Sequence, residues 1–321
     1  KFAGFGEQCY VVLGLPLLLT RRRDEVAATI AHELAHHSRS HVKAGNRSYR
    51  IHAMWFGVLD QLYKSDSALD KPLYKFLKWY VPRLNAMSYV LRRQAEFEAD
   101  ALGAEFTSNE SMALGLLRSR IDVKHRLGAY YESVMHRVRE SDLPPEDFYS
   151  GLLTYRCEQS ADVRETLRRS LIADTVYEDS HPSRRERIEA LGLPADPNDP
   201  TALQNILERL GTVEKSAAEE YFGERLRKVL IQADAKWNAN ARESWKENRA
   251  AFLEGVESLK EFEGKDDASL TSEECKKKLK ALISVEGKKA SASLARDYAV
   301  RFPSDSEFLF VAGHCLTKCD D

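Results

Sequence analysis

His32, Glu33 and His36 stand as H-E-x-x-H within "IAHELAHHSRSH", residues 30–41, a run that holds four of the chain's nine histidines. Helix positions four apart share a face, so His32 and His36 can direct two imidazoles at one metal ion. Glu33 stands to one side, where it can take a proton from a metal-activated water as that water attacks a carbonyl. The competing reading is a pair of satisfied core histidines. Context favours the metal: Val26, Ala27, Ile30 and Leu34 recur at helical spacing, and small Ala31 and Ala35 allow close packing. His37 lies about 100° round the helix from His36, too far to join the same site. A third histidine on this segment requires Gly at 39 and His at 42, where the chain has Arg39 and Val42. His37 and His41 are therefore ordinary polar positions.

The missing ligand must come from elsewhere, and "AEFEADALG" at 95–103 offers it. Glu96 and Asp100 are again one helical turn apart. One carboxylate can bind the metal, while the next turn's aspartate accepts the Nδ1–H of a ligand histidine and fixes its tautomer. Glu98 points away from both and is solvated. Read alone, the segment is an acidic face answering Arg92 and Arg93; beside an H-E-x-x-H helix it completes a His₂Glu set for one zinc ion per chain. A second candidate, His314, Cys315 and Cys319 in "HCLTKC", lacks another ligand pair and reads as a small apolar helix face.

The elements that must carry these residues are mostly helices. Residues 9–15 read as a strand, rich in β-branched and aromatic types and closed by Gly14 and Pro16. Such a strand is a candidate edge for an extended substrate to join. Helices are expected over 51–64, 72–106 with Pro82 as a kink, 111–140, 144–157 with Pro144 and Pro145 at its start, and 161–173. The run 181–200 holds four of the ten prolines and becomes a Pro/Asp-rich connector, the best boundary available. Two domains follow, residues 1–195 and an all-helical 196–321 whose end resembles one and a half tetratricopeptide units.

Composition narrows the partners. A net charge of −2 gives no reason to expect nucleic acid, and the arginine clusters at 21–23 and 184–187 read as solvated helix ends. Five scattered cysteines suit a reducing compartment rather than a disulfide framework, so the expected place is the cytoplasm or the cytoplasmic face of a membrane. No run reaches the roughly 18 apolar residues of a membrane span. The chain opens on Lys1 close before the first motif, so any anchor or signal is expected upstream, in a segment not in this sequence.

Three motifs, "GLPLLLT…DEVAATIAHELAHH", "RRQAEFEADALG" and "SHPSRRERIEAL", occur in order over roughly residues 10–193. Together they resemble the zinc metallopeptidases that include HtpX, the CAAX prenyl endopeptidases and the mitochondrial Oma protease. The resemblance implies a mainly α (α+β) gluzincin fold with a small sheet, and endopeptidase activity on protein or peptide substrates. It implies His32, His36 and Glu96 as zinc ligands and Glu33 as general base. It adds His181, which approaches the metal in relatives and either steadies the oxyanion or ligates zinc and holds the enzyme latent. Arg187 is expected to pair with a carboxylate near the site, Asp100 being the candidate. Many relatives carry membrane helices around the first motif, whereas the 59 residues between His36 and Glu96 are too charged to span. The rival from another class is a non-catalytic protein that keeps zinc as a structural clip and works through its C-terminal helices; an intact Glu33 argues against it, since a clip needs no base.

Overall fold

Gly14 and Pro16 decide how the chain enters its first element. A computed structural model describes residues 10–38, 54–55, 57–64, 70–156, 161–173 and 181–316. In it, α1 spans Leu15–Thr20 with Pro16 in its first turn, where a missing N–H costs nothing. Residues 10–14 have no regular structure, and Val12 is 90% exposed. The expected strand at 9–15 therefore fails over its described part: no strand pairs with it, and none occurs among the described residues. Its use as an edge for substrate falls with it, and the small sheet has no counterpart among them.

The chain divides into two compact units, Lys1–Tyr130 with Tyr149–Val229, and Tyr131–Phe148 with Leu230–Asp321. In the first, α2 (Arg23–Ser38) packs against α4 (Asp70–Phe106) and α5 (Asn109–Ile121). Asp24 and Glu25 lie in the first turn of α2, where they suit the helix dipole. Each is also tied to α5: Ser111 Oγ donates to Asp24 Oδ2 at 2.6 Å, and Arg118 Nε donates to both oxygens of buried Glu25 at 2.9 and 2.8 Å. Residues 57–63 form a short helix, α3, before α4, and α4 runs on through Pro82.

The expected single helix at 111–140 is broken. α5 passes into a π-helical turn at Asp122–Gly128, then α6 (Ala129–His136) and a 3₁₀ turn at Arg137–Arg139. The helix expected from Pro144 starts later, as α7 (Phe148–Thr154). α8 (Ala161–Ile172), α9 (Arg184–Ala190) and α10 (Pro200–Leu210) close the first core, in which Met112, Leu117, Leu167, Leu171, Ile188 and Leu207 meet. The expected boundary at 195 thus lies inside this unit, where Asp199 caps α10 and Pro200 begins it. α11 (Ala217–Phe222) ends the unit's regular helices before α12 (Leu226–Lys260).

In the second unit α13 (Ser272–Glu286), α14 (Lys288–Arg301) and α15 (Ser306–Leu316) pack on one another around Leu279, Tyr298, Phe308 and Cys315. Gly287, at φ 91°, makes the sharp turn between α13 and α14 that a side chain would strain. Cys315 is core, and the Nζ of Lys288 lies 2.8 Å from His314 Nε2; Cys319 lies outside the described residues. No described helix is long and apolar enough to cross a membrane.

Candidate metal centre

The i, i+4 spacing on α2 sets His32 and His36 side by side, with Nε2 atoms 3.2 Å apart and rings nearly perpendicular at 87°. α4 brings Glu96 opposite them. Its Oε2 lies 3.8 Å from His32 Nε2 and its Oε1 3.5 Å from His36 Nε2. The three ligand atoms all fall within 4.8 Å of one another, and His32 and Glu96 are buried. Tetrahedral zinc with bonds of about 2.0–2.1 Å separates its ligand atoms by about 3.4 Å. The two Nε2 atoms, 3.2 Å apart, match that edge, one Glu96 oxygen has only to close in from within 4.8 Å to complete it, and the donor set of two imidazoles and one carboxylate is one zinc takes. The residues present fit the ion.

What lies behind these three explains their orientation. His32 Nδ1 lies 3.0 Å from Asp100 Oδ1, which leaves the Nε2 lone pair facing the site when that contact carries the proton. Arg187 of α9 grips Asp100 with two parallel bonds, Nε to Oδ2 at 2.7 Å and a terminal nitrogen to Oδ1 at 2.6 Å. The same guanidinium reaches Glu96 Oε2 at 3.3 Å. His181 enters from the segment before α9, with Nδ1 2.9 Å from Glu96 Oε2 and a side chain more than half exposed. Glu33 is exposed beside buried His32. His37's side chain and all of His41 lie outside the described residues.

The electrostatics follow from burial and these partners. Burial pushes the Glu96 carboxyl up, but the His181 hydrogen bond and the charges of Arg187 and His32 outweigh it and hold it below the ordinary range. Asp100 is held low in the same way, by Arg187 and His32 against burial. Burial lowers His36, and neighbouring His32 adds to the effect. Two carboxylates held low and an imidazole, His36, whose protonation burial disfavours make this a cation site.

Two features escaped the sequence reading. Arg93 forms a fork on Glu186, with bonds of 2.8 and 2.6 Å, that fastens the start of α9 to α4 just after His181. Glu186 is also half of a capping box with Ser183, a pattern visible in "SRRE"; its partner 93 positions away is not. The arginine clusters are not simply solvated helix ends: Arg21 is buried near Asp122 and Glu25, and Arg187 is buried on Asp100, the carboxylate expected for it.

A family model described as peptidase family M48 matches residues 2–194, which carry all of these groups. The chain belongs to peptidase family M48. M48 peptidases are typically zinc-dependent, and this M48 chain presents a matching His32, His36 and Glu96 cluster. No curated protein and no solved structure matches it.

Proposed function

We propose that this M48 chain is a zinc-dependent endopeptidase that holds one zinc ion through His32, His36 and Glu96. The observation that carries the reading is the convergence of those three ligand atoms from two helices, backed by Asp100 and Arg187. When bound, zinc acidifies a water toward neutral pH and polarises the scissile carbonyl. The chain's own residues supply the rest. Asp100 keeps His32 in the tautomer that offers Nε2 to the ion, and Arg187 neutralises Asp100 while steadying Glu96. Glu33, exposed beside the ligands, accepts the proton of the attacking water as the new C–O bond forms. It then delivers that proton to the amide nitrogen as the C–N bond breaks. His181, at the rim, donates to the oxygen on which negative charge develops.

His181 also supports a second reading. Its 2.9 Å contact with Glu96 places it against a ligand, where it can equally restrain the site in a latent form. The helices beyond residue 230 recruit substrate or a protein partner in either case. The test of the main reading is proteolysis of an unfolded protein by wild type and by Glu33→Gln, with zinc content measured on both. The variant is expected to keep its zinc and lose at least about a hundredfold in rate. Equal inertness of both, each with one zinc bound, would leave a zinc-clipped interaction protein.

A further inference from the structure

α4 extends well beyond what the metal centre uses. Its C-terminal half carries Glu96 and Asp100, while its N-terminal half leaves apolar side chains in solvent. Phe76 and Trp79 are 53% and 54% exposed and Val90 68%, and Leu73 and Leu91 are similarly open. At 100° per residue these five fall within an arc of about 120°. Leu77, Val81, Ala95 and Ala99 occupy a different face and are buried. The rings form one surface: Phe76 stacks on Tyr80 at 5.5 Å, and the Arg83 guanidinium covers Trp79 at 4.4 Å. Tyr63 of α3 adds its exposed ring, 6.0 Å from Tyr74.

Charge distinguishes this stripe from an ordinary protein contact. Between Lys71 and Ala95 the chain has six cations and no acid, although its net charge is −2. Arg92 is buried and Arg93 is held by Glu186, which leaves Lys71, Lys75, Lys78 and Arg83 exposed along the same half-helix. Of the nearby acids, Asp60 on α3 is taken by Lys64 at 2.7 Å, and Asp70 sits in the first turn of α4, where it suits the helix dipole. Lys71, Lys75 and Lys78 flank the apolar arc on one side, the arrangement of a helix that lies in a membrane interface with its lysine stems reaching to headgroups. A second copy of the chain would bring like charges together, which opposes self-association through this face.

From this we infer that the N-terminal half of α4 docks the protein on an anionic lipid surface, with Phe76, Trp79 and Leu73 entering the interface and the lysines meeting the headgroups. The inference goes beyond the peptidase reading and needs no spanning helix. Co-sedimentation of the full chain with phosphatidylcholine vesicles, with and without about a third phosphatidylserine, tests it. Binding is expected on the anionic vesicles only and to weaken as salt rises. Phe76→Ser/Trp79→Ser and Lys71→Glu/Lys75→Glu/Lys78→Glu should each lower it at least tenfold, with zinc content and circular dichroism unchanged because all five side chains are exposed. Three outcomes would overturn it: no binding by wild type, equal binding to neutral vesicles, or binding untouched by both variants. Dimerisation that the apolar variant abolishes, without vesicle binding, would assign the face to a second copy.

Discussion

Glu96 faces two imidazoles with its carboxylate and is met from behind by Arg187 and His181, so four side chains from three parts of the chain set one group's position. His181 is the exposed member of that set. His181→Ala is expected to lower kcat about a hundredfold with little change in KM, the signature of a donor used in the transition state. A rise in activity would make it a latch. The candidate ligands are legible in sequence because a helix converts a four-residue interval into a shared face, twice. Asp122 shows the opposite case, since nothing in its local sequence marks it. It is buried, its Oδ2 has no hydrogen-bond partner, and burial pushes it up to about 6 against the pull of Arg118, Arg126 and Arg21. Its folded value exceeds its ordinary 3.8, so between these values the folded state binds more protons than the unfolded one. Stability from this group is therefore present at low pH and lost as pH rises through about 4 to 6, by at most about 3 kcal/mol. Urea unfolding across that window should show a flatter profile for Asp122→Asn than for wild type; identical slopes would assign the dependence to another group.

At the level of elements, the site depends on how closely α2 and α4 approach. Gly103 is the contact that sets this: a Cβ there would stand 2.9 Å from the Ala28 carbonyl oxygen and 2.7 Å from Met112 Sδ. The methionine can swing aside, whereas the carbonyl belongs to the backbone of the helix that carries both histidines. Gly103→Ala is expected to cost about 1–3 kcal/mol in stability and to weaken zinc binding, read by thermal unfolding and by zinc titration. Undiminished zinc affinity would mean that α2 shifts as a rigid body without opening the site. Helices as long as α4 announced themselves through sustained periodicity, and its observed span of Asp70–Phe106 nearly coincides with the 72–106 expected. The strand at 9–15 misled because β-branched residues next to Gly and Pro fit an extended entry to a helix as well as a strand. What separates the two is a ladder partner, and no short window contains that information. The π-helical turn at 122–128 was invisible for a similar reason, since an inserted residue leaves helical composition unchanged.

On the scale of the whole molecule, sequence order and spatial grouping part company at residues 131–148. This segment precedes α7 in the chain yet groups with the C-terminal helices. It is held to α12 by side chains more than 90 positions distant: Trp245 Nε1 donates to the Ser141 carbonyl at 3.0 Å, Arg249 to those of Val138 and Arg139, and Asn238 to that of Pro144. Phe148 stacks on Trp237 with ring centres 4.1 Å apart. A Pro/Asp-rich connector near 195 drew the boundary by composition, but composition does not report which distant carbonyls a tryptophan reaches. Two cores, one around Leu117 and Leu167 and one around Leu279 and Phe308, then give the molecule two places at which to lose cooperativity. Trp245 is 2% exposed, and Trp245→Ala is expected to remove about 3–5 kcal/mol from the second unit. Chelation should act on the first instead, since an ion bound only by the folded His32, His36 and Glu96 stabilises that unit by mass action. Calorimetry of the full chain should accordingly resolve two transitions, one lowered by chelator and the other by Trp245→Ala, with the effects independent when combined. A single transition moved by both treatments would show that the two cores melt as one, and that zinc at the first unit supports the helices of the second.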